Sequence, residues 1–281
     1  MQLTVTKVRV HGLGTDATGA GAAGPRSAES TTIRPVEVNV HEDDIACEAP
    51  LDITVDGAHF ATTMRTPGAD LELIYGLLLA EGKIVTAADV ARVQMVDECH
   101  AEVTLAPGPD RAGTDRAQAT VDLPGANPPA ATRTEVPLTR EDEPKWPASL
   151  LVQMTTKLKA QQPGFHKTGA LHGAGLFNHD GELLVVREDI GRHNAVDKAI
   201  GWGLLNGVLP QEAHNLGLVI SSRASFELVR KAVAASLPVM VVVSAPTSMG
   251  VQAARDEGLT LCAFARPPTM TVYSGEERVE F

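Results

Sequence analysis

Residues 216–264 read LGLVISSRASFELVRKAVAASLPVMVVVSAPTSMGVQAARDEGLTLCAF. Three short apolar runs, Leu216 to Ile220, Val239 to Val243 and Leu259 to Phe264, alternate with two segments that read as helices, Ser225 to Ala235 and Met249 to Glu257. An apolar run without polar alternation suits a strand buried on both faces, and such strands alternating with helices build an α/β domain whose sheet is covered on both sides. The pattern continues upstream. Ser149 to Ala160 and Asn194 to Leu205 read as helices, and Ala170 to Phe177 and Leu183 to Arg187 as strands joined by an Asp180-Gly181 turn.

Before that domain the signals change. Val36, Val38 and Val40, then Leu51, Ile53 and Val55, then Phe60 to Met64 alternate in strand fashion around an Asp56-Gly57 turn, which predicts a hairpin. After the Pro67-Gly68 break, Leu71, Ile74, Leu77 and Leu78 share a helical face over Asp70 to Glu81, with Gly82 as the cap. Val93 to Val96 and Glu102 to Leu105 read as two more strands. The chain thus divides into a strand-like start and flexible tail (1–33), a β-rich N-terminal subdomain (34–106), a Pro-rich loop (107–147) and the α/β domain (148–281). The tail, Gly12 to Thr32, is Gly-, Ala-, Ser- and Thr-rich. Eight prolines punctuate the loop, which leaves room for one strand near Ala119 to Leu123.

The 281 residues are 43% hydrophobic and 21% charged, as a globular protein requires, but only 4% aromatic, so the core rests on Leu, Val, Ile and Ala. With 24 Lys plus Arg against 35 Asp plus Glu, the net charge of −11 argues against broad nucleic-acid binding, which needs a basic surface. Three scattered cysteines, Cys47, Cys99 and Cys262, form neither a disulfide framework nor a zinc ribbon. No signal-like start and no run of about 18 apolar residues occurs. The expected location is the cytoplasm, away from membranes.

Polar residues gather where strands meet helices: Phe165 to Gly173, Arg187 to Asn194, Ser221 to Glu227 and Ser244 to Ser248. In an open α/β sheet, ligands bind outside the carboxyl ends of the strands, where helix N-termini present free N–H groups. One such joint is adequately explained as an ordinary helix cap. Four of them, with three arginines among them, point to an anionic, phosphorylated ligand. Arg65, before the Pro67-Gly68 turn, is a further candidate anion contact. No phosphate-binding Gly-rich motif is present, and His166, His172 and His193 lack the spacing of a helical metal motif, so they read as pocket histidines.

With these joints in view, the sequence resembles the FdhD/NarQ family of formate dehydrogenase accessory sulfurtransferases. The resemblance is carried by Met64-Arg-Thr-Pro-Gly68, the helix through Glu81-Gly82, Lys167 to Gly173, Val186-Arg-Glu-Asp-Ile-Gly-Arg-His-Asn-Ala-Val-Asp-Lys-Ala-Ile-Gly201, Ser221-Ser-Arg-Ala-Ser-Phe-Glu227, Ser244 to Ser248 and Thr260 to Arg266. It implies a cytidine-deaminase-like three-layer α/β domain beside the smaller β-rich subdomain, and a cytoplasmic homodimer. It also implies a protein that takes persulfide sulfur from a cysteine desulfurase. That sulfur passes to the bis(molybdopterin guanine dinucleotide) molybdenum cofactor of formate dehydrogenase or another molybdoenzyme. GDP would mimic part of that cofactor. The family's cofactor-binding stretch falls on Phe264, Ala265, Arg266, Pro267, Pro268 and Thr269, and the joints add Arg65, His172, Arg192, His193, Arg223, Ser225, Ser244 and Ser248.

The deaminase comparison also addresses zinc. His193 falls near the position of the zinc histidine, but Ser222-Arg223-Ala224-Ser225 stands where a P-C-x-x-C pair would be, so no zinc is expected. That disfavours a nucleoside-processing enzyme. Ser222, Ala170 and Gly173 are milder departures from the family pattern.

A larger departure concerns sulfur. The family's C-G-x-C-G loop would lie between Arg116 and Arg140, where this chain has no cysteine. Persulfide transfer needs a thiolate. Cys47 and Cys99 fall in the N-terminal strands and Cys262 in an apolar strand, where a buried thiol is the usual expectation. Two functions therefore compete: sulfur transfer to the cofactor through one of these as a surrogate thiol, Cys262 beside the cofactor stretch first among them, or a cofactor carrier or chaperone that has lost transfer.

Overall fold

The computed structural model describes residues 2–10, 36–107 and 145–281. The tail expected over Gly12 to Thr32 and the strand expected near Ala119 to Leu123 lie outside the described residues. The chain forms two compact units, 1–45 and 46–281. In the first, β1 (Gln2–Val10) and β2 (Val36–Asp44) pair antiparallel in an unbroken nine-residue register from Gln2 and Asp44 to Val10 and Val36.

The second unit contains two substantial sheets. The smaller has the order β4-β3-β6-β5, built from β3 (Ala49–Val55), β4 (Ala58–Arg65), β5 (Val90–Met95) and β6 (His100–Leu105). The expected hairpin joins β3 to β4, with Asp56 (φ 50°) and Gly57 (φ 80°) both left-handed, the conformation that an Asp-Gly hairpin turn supplies. Leu51, Ile53, Ala101 and Val103 on alternate positions are buried, and α1 (Asp70–Ala80) covers that face with Leu73, Ile74 and Leu78.

The larger sheet has the order β13-β12-β11-β10-β8-β9. Its strands are β8 (His172–Asn178), β9 (Leu183–Asp189), β10 (Leu216–Ile220), β11 (Val239–Val242), β12 (Thr260–Arg266) and β13 (Thr269–Ser274). The central strands β10, β11 and β12 are parallel, while β8 runs against β10 and β13 against β12. Successive residues of each central strand enter two different cores. Leu218, Ile220, Met240, Val242 and Leu261 pack with α5 (Arg192–Leu205), α6 (Phe226–Ala234) and α7 (Ser248–Asp256). Val219, Val239, Val241 and Cys262 pack on the opposite face with α2 (Ala148–Leu151) and α3 (Met154–Ala160). Each fully buried aliphatic side chain stabilises the fold by about 1.5–3 kcal/mol, so continuous apolar strands between two helical layers are the expected outcome.

Helices α1 and α5 join the two sheets at a close crossing. A Cβ on Gly76 would run into the Asp197 carbonyl, and one on Gly201 into that of Glu72. Only glycine permits this backbone approach.

Three local expectations are revised. The helix expected over Ser149 to Ala160 is two helices, because the Gln153 N–H turns to Leu150 O at 3.0 Å and its side chain donates to Ser149 O at 2.8 Å. The joint expected at Phe165 to Gly173 begins inside a short helix, α4 (Pro163–Thr168), which Gly169 closes in a left-handed conformation (φ 68°). Trp146 and Pro147, at the end of the expected Pro-rich loop, form β7, paired with β14 (Val279–Glu280).

Candidate functional site

The sheet topology brings the polar joints to one edge. Strands β9, β10, β11 and β12 end there and β8 and β13 begin there, as the pairs His172–Asp189, Ile220–Ala174, Ile220–Val242 and Arg266–Thr269 fix. His172, Arg192, His193, Arg223, Ser225, Ser244, Ser248 and the stretch from Phe264 to Thr269 therefore share the carboxyl edge of the parallel strands. The joints are pinned to one another. Ser221 Oγ accepts from Gly173 N (2.9 Å), Ala224 N donates to Ala245 O (3.2 Å), Thr247 N to Ala224 O (2.9 Å) and Phe264 N to Ser244 O (3.2 Å).

The charge distribution at this edge favours an anion. Arg192, Arg223 and Arg266 are exposed. His172 opens β8 and His193 occupies the first turn of α5. Burial, then the neighbouring Arg192, lowers the pKa of both imidazoles from the ordinary value of 6.5, against the opposing pull of Asp189 on His172 and of Glu227 on His193. His193 Nδ1 lies 3.3 Å from Glu227 Oε2, which orients the ring.

Two helix starts differ in a way that bears on ligands. Thr247 caps α7 in the ordinary manner, its hydroxyl accepting from Gly250 N at 3.1 Å. Ser225 occupies the same position before α6, yet its Oγ is buried and has no hydrogen-bond partner among the described residues. A buried unsatisfied hydroxyl costs about 1–3 kcal/mol, so this group is open to a partner that the described residues do not provide.

The C-terminal stretch divides. A register shift in the β12–β13 pairing accompanies a left-handed Phe264 (φ 51°), a residue 45% exposed, while Ala265 is buried and its carbonyl accepts from Thr155 Oγ1 at 2.5 Å. Arg266 and Thr269 are exposed across the end of the hairpin. Pro267 and Pro268 line a cavity of about 510 Å3 together with Ser149, Val152, Gln153, Thr156 and Lys157 from α2–α3.

Arg65, expected as an anion contact, is directed inward instead. It is 2% exposed, pairs with Asp70 through Nε (2.9 Å) and Nη2 (3.0 Å), and donates to the carbonyls of Glu98 (2.7 Å) and Ala49 (3.4 Å). Much of the Glu188-to-Lys198 motif is likewise structural. Asp189 accepts from the N–H groups of Thr66 (3.1 Å) and Gly191 (2.8 Å), Asn194 Nδ2 donates to Met64 O (2.8 Å), and Lys198 Nζ donates to Thr66 O (2.7 Å). Glu188 points the other way and holds the N–H groups of Gly164 and Phe165 at 2.8 and 2.7 Å. These residues lock the β4–α1 turn to the start of α5 and so fix where Arg192 and His193 enter the edge. Glu227, Asp189 and Asn194 lie inside the polar joints read from sequence and Lys198 inside the family motif, but none of them was named as a site residue. The signal was there in Asn194, Asp197 and Lys198, polar residues one helical turn apart in a helix that is apolar from Ala199 onward.

Cys262, the expected surrogate thiol, is corrected by its surroundings. Its side chain is fully buried in the core beneath α3, and burial pushes its pKa up to about 12. It is neither reachable nor ionised at neutral pH.

Comparison with known proteins accords with this architecture. The sequence profile of the FdhD/NarQ family matches residues 46–280. A protein named sulfur carrier protein FdhD from Corynebacterium efficiens is 42% identical over 277 residues, covering 90% of this chain and 96% of its own. One of the same name from Nocardia farcinica is 43% identical over 250 residues, covering 85% and 88%. Among solved structures, a formate dehydrogenase accessory protein from Desulfotalea psychrophila shares the fold at TM-score 0.69 and 22% identity, covering 99% of this chain and 100% of its own. With the family profile spanning nearly the whole second unit and relatives above 40% identity along most of the sequence, this chain belongs to the FdhD/NarQ family.

Proposed function

We propose that this chain is an accessory protein for formate dehydrogenase that binds the bis(molybdopterin guanine dinucleotide) molybdenum cofactor at the carboxyl edge of its larger sheet. The observation that carries this reading is the placement along one edge of the exposed Arg192, Arg223 and Arg266 and of the buried Ser225 hydroxyl, which has no hydrogen-bond partner among the described residues. Guanidinium groups form charge-assisted bonds to phosphate, and a confined basic edge on a protein of net charge −11 is what a phosphorylated ligand requires. Ser225, Ser244 and Ser248 supply hydroxyls, His172 and His193 neutral ring nitrogens, and the exposed Phe264 ring an aromatic face for a base. When bound, the cofactor supplies the molybdenum chemistry of the client enzyme. The protein's residues bind its phosphates.

Its relatives' name supports a sulfur carrier; in this reading the sulfur comes from a cysteine desulfurase and passes to the cofactor. The helix–sheet–helix layering and the order of elements support a cytidine-deaminase-like fold, and a homodimer in the cytoplasm is the proposed state. No helix among the described residues is long and apolar enough to cross a membrane. A second reading, a cofactor carrier without sulfur transfer, is favoured by the absence of any cysteine between Cys99 and Cys262. Complementation of a strain lacking its FdhD separates the readings. Restored formate dehydrogenase activity supports the sulfur-transferring accessory protein; bound cofactor without restored activity supports the carrier.

A further inference from the structure

A sulfur carrier needs a thiolate that another protein can reach. Of the three cysteines, Cys262 is sealed in the core, whereas Cys47 is exposed and Cys99 partly exposed. The topology brings these two to one end of the four-stranded sheet. Cys47 lies two residues before β3. Cys99 immediately precedes β6, which runs parallel to β3, and the Cys99 carbonyl accepts from Asp52 N at 2.7 Å. The buried Arg65 ties the two segments together: Nη1 bonds the carbonyl of Ala49, two residues from Cys47, and Nη2 bonds that of Glu98, next to Cys99.

The same end of that sheet meets the binding edge. Met64, the neighbour of Arg65, accepts from Asn194, and Thr66 bonds Asp189 and the Ile190 N–H, so the turn sits against the segment that leads into Arg192 and His193. This end of the sheet also exposes apolar side chains, Met64 (48%), Leu71 (46%) and Val96 (53%), of the kind that a partner protein covers.

We infer that Cys47 and Cys99 are the sulfur-bearing thiols of this chain, in place of the loop cysteines its sequence lacks. The inference rests on the sulfur-carrier part of the proposed function. A thiolate of either residue attacks the terminal sulfur of a persulfide on the donor protein. A new S–S bond forms, the donor's S–S bond breaks, and the donor leaves as a thiolate that takes a proton from water. The sulfane sulfur changes carrier with no net oxidation or reduction, so no further reactant is needed.

The full chain is incubated with a cysteine desulfurase and [35S]cysteine, and non-reduced peptides are mapped, with GDP binding measured on the same preparations. The expected result is label on the Cys47 and Cys99 peptides, reduced by about tenfold or more in Cys47→Ser/Cys99→Ser and retained in Cys262→Ala, because only the first two thiols are reachable. Unchanged GDP binding by the double variant shows that it is folded. Label that persists in the double variant, or a wild-type chain that binds GDP yet takes no label, overturns the inference and leaves the cofactor site standing. Label without GDP binding supports the inference and counts against the cofactor site.

Discussion

The Lys198 ammonium lies 2.7 Å from the Asp189 carboxylate, with both side chains at most 2% exposed. This pair sits where the β4–α1 turn meets the start of α5, so it holds the smaller sheet and the binding edge in one arrangement. Removing one member of a buried ion pair leaves an uncompensated charge, which costs about 3–5 kcal/mol. Lys198→Met should therefore lower stability by roughly that amount in denaturant unfolding. A loss below about 1 kcal/mol would show that the pair does not join the two parts.

The crossing of α1 and α5 gives a second stability prediction. At Gly201 an added methyl meets the Glu72 carbonyl, backbone that cannot rotate aside. Gly201→Ala should cost about 3 kcal/mol or more, whereas Gly57→Ala, where a Cβ has open space but φ is 80°, should cost only about 1 kcal/mol. Equal thermal shifts in the two variants would contradict the close crossing.

The histidines set a pH dependence. Their free-state pKa values are lowered from 6.5, so both are neutral at pH 7.5. A bound anion favours the protonated rings and raises those values. The extra binding energy is thus fully present below the free-state pKa and is lost as pH rises through the anion-bound value. Affinity for GDP should strengthen on acidification more in the wild type than in His172→Gln/His193→Gln. Parallel pH profiles for the two proteins would remove the histidines from the site.

Zinc provides a separate check. His193 Nδ1 faces Glu227, and no thiolate stands at Ser222 to Ser225. Metal analysis of the purified protein should find well below one zinc per chain. Stoichiometric zinc resisting chelators would revive a deaminase-type site.

Much of the α/β domain was legible because buried strands and amphipathic helices leave different apolar periods. The runs at Leu216 to Ile220 and Val239 to Val243 correspond to β10 and β11 within one residue. Strand β13 went unread because Pro267-Pro268 looks like a terminus, although the chain turns there and returns as Thr269–Ser274. Helix α4 was hidden by its brevity and is stabilised by Glu188, a residue 24 positions away from Gly164. Local pattern cannot report such distant partners. The same limit explains Arg65: its position before a Pro-Gly turn suggested an anion contact, but Asp70 and two carbonyls, one of them 33 residues on, turn it into a structural cation. Cys262 likewise neighbours the Phe264 stretch in sequence, while strand alternation places it on the sealed face.

Calorimetric titration of the full chain with GDP measures whether the carboxyl edge of the six-stranded sheet binds a guanine-nucleotide phosphate. Saturable binding that weakens about ten- to a hundredfold in Arg223→Ala, the loss expected for one charge-assisted bond of about 1.5–3 kcal/mol, is the predicted result. No heat at millimolar GDP, or binding that Arg223→Ala leaves unchanged, would contradict it.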